Sequence, residues 1–402
     1  MTDLNKAPLL SLFKGRWFKL ICGASFHYLP AIRSLTIAYT LAGADCIDIA
    51  ANPAVVNAVR NTLDLVPSFT AEALRRGFVR KTTLPLLMVS LNDGEDPHFR
   101  KANFNYTDCP TDCQRPCEQI CPTQAIVFEH EVNHEVNHGN HYAATYNNYQ
   151  NQSVSSGVIE QKCYGCGRCI PICPYDKIYT SSYVSTPGAI APLVLSMGVD
   201  AVEIHTRVGR FTDFKRLWQS ISPWLDRLQL VAISCPGEEG VIEYLEMLYD
   251  LIAPLPCPLI WQADGRPMSG DIGDGTTLAT VKLGQKILTA KLPGYVQLAG
   301  GTNGYTVAKL RAMGLLRTQQ QADMHFKYEE DGENYFPNSS YVSGIAYGSY
   351  GRALLSPVLQ QLEVKEVSSP HVQASVRLED EVDLLWQAVE LAHSLVSQIK
   401  SQ

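Results

Sequence analysis

Short apolar runs alternate with longer amphipathic stretches along most of the chain. Each run is four to seven residues long and precedes a segment in which apolar residues recur every three to four positions. This alternation predicts strands separated by helices, the pattern of a parallel sheet built from strand–helix units. The eight predicted strands are Phe18–Gly23, Asp45–Ala50, Pro85–Leu91, Ala201–His205, Gln229–Ser234, Pro258–Gln262, Tyr295–Leu298 and Val342–Ala346.

Helical patterns accompany these strands. A last stretch, Leu378–Ile399, carries one apolar stripe and predicts a C-terminal amphipathic helix. Such a stripe usually packs on its own domain, and docking of a partner helix is the alternative. The other predicted helices are Pro30–Ala42, Pro53–Leu65, Gly188–Met197, Phe211–Leu228, Glu238–Ile252, Thr276–Lys291, Tyr305–Leu315 and about Gly351–Glu363.

Eight strand–helix units predict a closed (β/α)8 barrel of the TIM type, with an open doubly wound sheet as the alternative. A cysteine-rich segment follows the third strand, so we expect it to be an insertion on a strand-to-helix loop, at the barrel face where sites are built. The predicted domains are residues 1–92 for the first part of the barrel, 93–187 for the insertion, 188–365 for the remaining barrel and 366–402 for the C-terminal helix.

The insertion holds eight of the twelve cysteines, in two blocks. The second block contains Cys163, Cys166, Cys169 and Cys173 in the C-x2-C-x2-C-x3-C-P spacing of bacterial ferredoxins. In that motif a tight loop wraps three thiolates around one iron–sulfur cluster, and the fourth cysteine ligates a second cluster where two are present. The spacing therefore predicts a partner block.

The first block supplies this partner with Cys109, Cys113, Cys117 and Cys121. Its end, Ile120-Cys121-Pro122, repeats as Ile172-Cys173-Pro174, so the two blocks form an internal repeat. Its prolines forbid one continuous helix. Crossed ligation predicts one four-iron cluster on Cys163, Cys166, Cys169 and Cys121, and another on Cys109, Cys113, Cys117 and Cys173. A three-iron form is the alternative for the latter.

Other interpretations of the cysteines stay open. The second block could be a zinc site or a set of buried thiols, and one cysteine of the first block, Cys109 in particular, could be free. Residues 130–156, between predicted hairpin strands Ala125–Phe128 and Gly157–Glu160, include histidines spaced for a metal on a helix. A low-complexity loop is the favoured interpretation there, and residues 318–341 are predicted to be a polar surface excursion.

Composition narrows the function classes. The 402 residues are 46% hydrophobic, which supports a sizeable core, and the net charge of −7 gives no electrostatic footprint for nucleic acid. The first twenty residues lack a signal-peptide pattern, and no apolar run reaches the length of about 18 residues that a transmembrane helix needs. We therefore expect a cytoplasmic protein, in which clustered cysteines indicate metal or redox chemistry.

Two glycine-rich loops follow the seventh and eighth predicted strands. Barrels often hold a phosphate group in these loops through backbone N–H groups and the start of a helix. Flavin mononucleotide or another phosphate ligand would fit there, and simple tight turns are the alternative. The candidate phosphate-binding residues are Gly300, Gly301, Gly304, Gly348, Gly351 and Arg352.

Polar residues near the strand ends could form a catalytic mouth. They lack a paired-acid or nucleophile motif, so hydrogen bonding among loops is the favoured interpretation and no catalytic residue is assigned. These residues are Asp48, Asn52, Asn92, Glu203, His205, Asp264 and Arg266.

A barrel-like chain with these two cysteine blocks resembles the cyanobacterial light-dependent period protein A family. The opening Trp17-Phe18-Lys19-Leu20-Ile21-Cys22-Gly23-Ala24-Ser25 supports the resemblance. It implies an iron–sulfur redox sensor that passes light-dependent redox state to the circadian clock. It also implies partners, namely clock-input and clock-output histidine kinases and oscillator proteins. The competing function is a flavin-dependent oxidoreductase whose clusters pass electrons to a flavin bound in the barrel. Sensing is favoured because Arg352 is the only cation within the glycine-rich loops.

Overall fold

The computed structural model describes residues 7–23, 29–78, 83–94, 100–121, 124–128, 157–159, 163, 169–182, 187–266, 273, 275–317, 340–368 and 376–401. Its contacts divide the chain into two compact units. One unit comprises Met1–Asp96 with Val184–Gln402, and the other comprises Pro97–Tyr183.

The first unit is a closed parallel barrel. Its eight strands follow one another around the barrel in chain order, and the last pairs with the first. They are β1 (Trp17–Gly23), β2 (Cys46–Ala50), β3 (Leu86–Asn92), β8 (Ala201–His205), β9 (Leu230–Pro236), β10 (Leu259–Asp264), β11 (Tyr295–Ala299) and β12 (Gly344–Tyr347). The predicted barrel and its eight strands are confirmed, with ends that differ from the prediction by two residues or fewer.

The helices of the barrel unit are α1 (Ala7–Phe13), α2 (Leu29–Leu41), α3 (Pro53–Leu63), α4 (Val66–Arg75), α7 (Pro187–Leu195), α8 (Phe211–Ile221), α9 (Val241–Ile252), α10 (Thr277–Ala290), α11 (Thr306–Ala312), α12 (Ser349–Ser368) and α13 (Val382–Lys400). The predicted helix Phe211–Leu228 is wrong in its second half. A 3-10 helix, Ser222–Arg227, replaces it, because Pro223 has no N–H to continue the α-helical ladder.

Alternate residues of each strand face the inside of the barrel. On β1, Phe18 faces outward, where its ring stacks on Tyr39 of α2 at 5.8 Å between centroids. The inner residues at the strand starts pack around Leu12 of α1 in one buried cluster. Helix α1, too short for its periodicity to be recognised, therefore closes the amino-terminal end of the barrel. The strand residues in this cluster include Trp17, Cys46, Leu86, Ala201, Leu230 and Tyr295.

The C-terminal helix α13 packs on its own barrel. It contacts α2, α12 and β1, and its stripe is buried from Leu384 to Ile399. Lys400, at its end, pairs with Asp45. Packing on the protein's own domain, the favoured prediction, is confirmed. No described helix is both long and apolar enough to cross a membrane.

The second unit contains two small antiparallel sheets and two short helices. Strand β4 (Arg100–Asn103) pairs with β7 (Tyr179–Ser182), and β5 (Ile126–Val127) pairs with β6 (Gly157–Val158). The helices are α5 (Pro116–Ile120) and α6 (Cys169–Ile172). The β5–β6 pair is the predicted hairpin, whereas the β4–β7 sheet was not predicted. The low-complexity loop at 130–156 and most of the surface excursion, residues 318–339, lie outside the described residues.

Candidate metal centre

Six of the described cysteines of the two blocks gather in the core of the second unit. Three are buried, with Cys117, Cys163 and Cys169 exposing 5%, 8% and 7% of their surface. Cys109, Cys121 and Cys173 pack against the same apolar cluster, which includes Phe104, Ile126 and Phe128. None of the described cysteines of the blocks forms a disulfide, and Cys166 lies outside the described residues. The structure thus brings together residues that are up to 64 positions apart in the sequence, Cys109 and Cys173.

The internal repeat is visible in the backbone of both block ends. The Cys121 Sγ accepts a hydrogen bond from the Ala125 N–H at 3.1 Å, and the Cys173 Sγ accepts one from the Lys177 N–H at 3.4 Å. Between each pair, a residue without glycine's freedom adopts a left-handed conformation, Gln124 at φ 52° and Asp176 at φ 50°. Both turns therefore aim a backbone donor at the last sulfur of their block. Such bonds favour a thiolate over a thiol.

Two cysteines of the first block, Cys109 and Cys117, lie in the electrostatic neighbourhood of Cys173, the last cysteine of the second block. Burial raises the pKa of Cys109, and Cys113 and Cys173 raise it further. Burial also raises the pKa of Cys117 to about 11, with Cys173 and Cys109 adding to the effect. Mutual repulsion of this kind disfavours free thiolates at neutral pH. Bound cations would relieve it, since metal ligation deprotonates a thiol.

Within the first block, Arg115 adopts a left-handed backbone conformation, at φ 53°. Its N–H donates to the Cys113 Sγ at 3.4 Å, and its guanidinium lies 4.5 Å from the centre of the Phe128 ring. In the second block, the residue two positions before the corresponding cysteine is Gly167, which would adopt such a conformation without strain. The first block therefore carries backbone strain that glycine would avoid.

The donor set is suited to an iron–sulfur cluster. Among the residues the structure describes, no three His, Cys, Asp or Glu side chains converge as they would around one metal ion. A four-iron cluster binds each cysteine through a different iron, so its thiolates stand further apart. Buried and half-buried thiols that accept hydrogen bonds from backbone N–H groups, as Cys163, Cys121 and Cys173 do, are the environment that such clusters use.

The barrel fold and this cysteine core define an iron–sulfur barrel protein, and comparisons with known proteins agree. Residues 109–184 match the family model described as the LdpA Fe-S cluster-binding domain, and residues 193–398 match the light dependent period A C-terminal domain. The protein "Light dependent period A" of Synechococcus elongatus is 43% identical over 393 residues, which cover 98% of this chain and 94% of that protein. The chain belongs to the light-dependent period A family.

The first glycine-rich loop is closely packed in the barrel unit. Gly301 has φ 98°, and a Cβ there would lie 2.6 Å from the Thr276 carbonyl oxygen. A Cβ on Gly304 would lie 2.6 Å from the Tyr350 hydroxyl. Close packing therefore accounts for these glycines, whether or not the loop also binds a ligand.

The second glycine-rich loop leads into α12 and carries Arg352. Its guanidinium donates to the Ile21 carbonyl and to the Ser349 Oγ, both at 3.1 Å. No carboxylate pairs with Arg352 among the described residues, and burial lowers its pKa. A guanidinium without a counter-ion near the start of a helix is suited to an anion.

We predict that inorganic phosphate binds at this loop and raises the melting temperature of the protein, because ligand binding to the folded state stabilises it. Arg352→Gln should abolish the shift, which is measured against sodium chloride of equal ionic strength. Arg311→Gln changes an exposed arginine of α11 and should leave the shift intact. A phosphate effect that survives in Arg352→Gln would contradict the assignment.

The polar residues assigned to strand ends divide into two groups. Asn52 caps α3 by accepting from the Ala54 N–H at 2.9 Å, and Asn92 accepts from the Gly94 N–H at 2.9 Å. Arg266 follows β10, and its N–H lies beside Gly300. The hydrogen bonds of Asn52 and Asn92 fit the interpretation that the strand-end residues hydrogen-bond within loops.

That interpretation is wrong for Asp48, Glu203 and His205, which join one network inside the barrel. Sequence reasoning missed Lys19, the residue at its centre, together with Gln262 and Gln297. The Lys19 ammonium lies 3.2 Å from the Asp48 Oδ2 and contacts the Glu203 Oε2. The sequence signal that could have identified Lys19 is the two-residue period of β1, which places Lys19 on the same inward face as Trp17 and Ile21.

Proposed function

We propose that this protein is an iron–sulfur redox sensor that relays the light-dependent redox state of the cell to the circadian clock through protein partners. The observation that carries the proposal is the cysteine core of the second unit, in a chain of the light-dependent period A family. The related protein's name refers to a light-dependent period. A sensor needs a group that changes state with cellular redox poise, and iron–sulfur clusters span a wide range of reduction potentials.

The cysteines would hold two clusters by crossed ligation. Cys109, Cys113, Cys117 and Cys173 form one set, in keeping with their electrostatic proximity. Cys163, Cys166, Cys169 and Cys121 form the other. A bound cluster supplies one-electron redox chemistry, while the protein supplies the thiolates, the N–H donors of Ala125 and Lys177 and an apolar surround. Hydrogen bonding and burial of this kind tune a cluster's potential.

The partners in this proposal are the clock-input and clock-output histidine kinases and the oscillator proteins, met in the cytoplasm. A sensor that works by binding requires a surface whose shape or dynamics depends on the cluster state. The short helices α5 and α6 each carry a cysteine and lead directly to another, Cys121 and Cys173. A change in ligation would therefore reach the backbone of both helices.

Anaerobic purification tests the proposal, with iron, sulfide and flavin quantified and the clusters examined by electron paramagnetic resonance. We expect about eight irons per chain, because two four-iron clusters each take four cysteines, and no stoichiometric flavin. The signals should change reversibly as a quinone–quinol couple sets the potential. Cys257→Ala, in the barrel unit, should leave them unchanged.

Two results would count against sensing. Stoichiometric flavin that is reduced by the clusters would favour an oxidoreductase, with the loop at Arg352 as the phosphate site. Clusters whose state does not respond to the quinone couple would remove the basis for relaying redox poise.

A further inference from the structure

The first cysteine block carries one cation, Arg115, and its side chain is half-buried. The guanidinium carbon lies 4.5 Å from the centre of the Phe128 ring, within the range of a cation–π contact. Phe128 is itself only 7% exposed and belongs to the apolar cluster of the second unit. The guanidinium therefore packs on the same core that holds the thiols, whose buried members are Cys117, Cys163 and Cys169.

The backbone of Arg115 is tied to the block on both sides. Its N–H donates to the Cys113 Sγ at 3.4 Å, and its carbonyl accepts from the Glu118 N–H at 3.0 Å. Pro116, the next residue, begins α5 with its fixed φ. These contacts hold the positive charge at one place beside the cysteines, so the charge does not sample the range of positions open to an exposed arginine.

The acid next to Arg115 is engaged elsewhere. The Glu118 Oε1 accepts from the Phe128 N–H at 3.4 Å. Arg115 forms no ion pair with a carboxylate among the residues that the structure describes. The Phe128 ring shields one face of the guanidinium from water. The first block thus holds a fixed positive charge that no described carboxylate cancels.

The backbone conformation at this position favours glycine, and glycine is absent. Arg115 has φ 53° and ψ 50°, a left-handed conformation that costs free energy for a residue with a Cβ. Gly167 stands at the corresponding position of the second block and would avoid that cost. The arginine side chain therefore contributes something that the turn itself does not require.

A fixed cation beside an apolar core acts on any group there that changes charge. Reduction adds one electron to an iron–sulfur cluster, and a nearby positive charge favours the more negative state. The effect is larger in a core of low effective dielectric constant than in water. Net charge and hydrogen bonds to the sulfurs set the reduction potential of such clusters, and Arg115 supplies both, through its guanidinium and its N–H.

We propose that Arg115 tunes the first-block cluster, raising its reduction potential and so setting the redox poise at which the protein responds. The inference rests on the proposed function, because it requires a cluster bound at Cys109, Cys113, Cys117 and Cys173. The step is the transfer of one electron from an external reductant to the cluster. No bond forms or breaks at Arg115, and its guanidinium keeps its charge throughout.

The test is a dithionite titration of the anaerobically purified full chain, followed by electron paramagnetic resonance. In Arg115→Gln, the ratio of reduced to oxidised first-block cluster at a fixed potential should fall about tenfold, the scale of one charge acting through a partly solvated protein medium. For a one-electron couple this is about 59 mV. Glutamine tolerates the backbone conformation, as Gln124 shows at φ 52°.

Three further variants separate charge from packing. Arg115→Lys keeps the charge and should restore most of the potential. Arg115→Gly removes the charge and relaxes the turn, so it should show the lowered potential of Arg115→Gln while residues 97–183 keep their protease resistance. Arg216→Gln makes the same substitution at an exposed arginine of α8 in the barrel unit and should leave both potentials unchanged.

The two proposals fail in different ways. Two clusters with wild-type potentials in Arg115→Gln and Arg115→Gly would overturn the tuning role and leave redox sensing standing. A potential in Arg115→Lys as low as in Arg115→Gln would also overturn it, because the charge would then not be the cause. A wild-type protein that binds no cluster under anaerobic conditions would instead refute the proposed function, and the tuning role with it.

Discussion

Replacing Lys19 with methionine should destabilise the barrel by about 3–5 kcal/mol at pH 7, the range for breaking a buried ion pair by removing one partner. The methionine fills a similar volume but leaves Asp48 and Glu203 facing each other without a cation. In the wild type, burial opposes the charge on Lys19, but these two carboxylates raise its pKa above the ordinary value. Lys19 is therefore charged throughout the accessible pH range. Urea unfolding followed by circular dichroism measures the loss.

The pH dependence identifies the mechanism of that loss. Burial already raises the pKa of Asp48 to about 6 in the wild type, against the lowering effect of Lys19. Without Lys19, the folded pKa of Asp48 rises further and that of Glu203 rises above its unfolded value, so the added penalty applies above the folded pKa values and fades as pH falls through them. The difference in the free energy of unfolding between Lys19→Met and the wild type should therefore become smaller as the pH falls from 7.5 to 5. In the wild type, Glu203 has its pKa lowered to about 2, so its contribution is lost only as pH falls below its unfolded value, about 4.3.

Two further variants control for the charge. Lys19→Met combined with Glu203→Gln should recover part of the stability, because one uncompensated charge is removed. Lys282→Met changes an exposed lysine of α10 and should cost less than about 0.5 kcal/mol. A Lys19→Met protein within 1 kcal/mol of the wild type, or a gap that widens toward pH 5, would show that the network does not stabilise the barrel as described.

Lys19 also shows where sequence reasoning stops. The barrel strands could be predicted because each buries a run of apolar residues between helical patterns. This signal is local in the sequence, so it can be recognised without knowing which strands pair. The ionic network could not, because Lys19 meets Asp48 and Glu203 only through the closure and register of the barrel. Those residues are 29 and 184 positions away along the chain. A single lysine within an apolar strand does not reveal which carboxylates face it.

The second unit likewise has one feature that the sequence predicts and one that it does not. The paired block ends could be recognised because Ile120-Cys121-Pro122 and Ile172-Cys173-Pro174 repeat in the sequence, and their turns share one hydrogen-bond pattern. The β4–β7 sheet could not be predicted from Arg100–Asn103 and Tyr179–Ser182. These segments lack an alternating apolar pattern, and they pair with each other from opposite ends of the second unit's sequence.

Replacing Cys109 with serine should convert the first-block cluster to a three-iron form without unfolding the second unit. Cys109 lies at the edge of the apolar cluster, partly exposed, whereas Cys169 is buried inside α6. The first block also carries the strained Arg115 turn. A ligand held at the rim of a strained loop is the one whose iron is lost first. The measurement is electron paramagnetic resonance of the anaerobically purified variant, in which a three-iron signal should replace one four-iron signal.

Cys169→Ser is the matched contrast, and it decides which cluster supports the fold. The cysteine packs in the core with Phe104 and Ile126, and metal binding contributes directly to the folding of small cluster modules. This variant should lose the protease resistance of residues 97–183, while Cys109→Ser should retain it. In a cyanobacterial host, Cys109→Ser should also weaken the dependence of circadian period on light intensity. Two intact four-iron clusters in Cys109→Ser, with the oxidant sensitivity of the wild type, would exclude Cys109 as a ligand and transfer the sensing role to the cluster on Cys163, Cys166, Cys169 and Cys121.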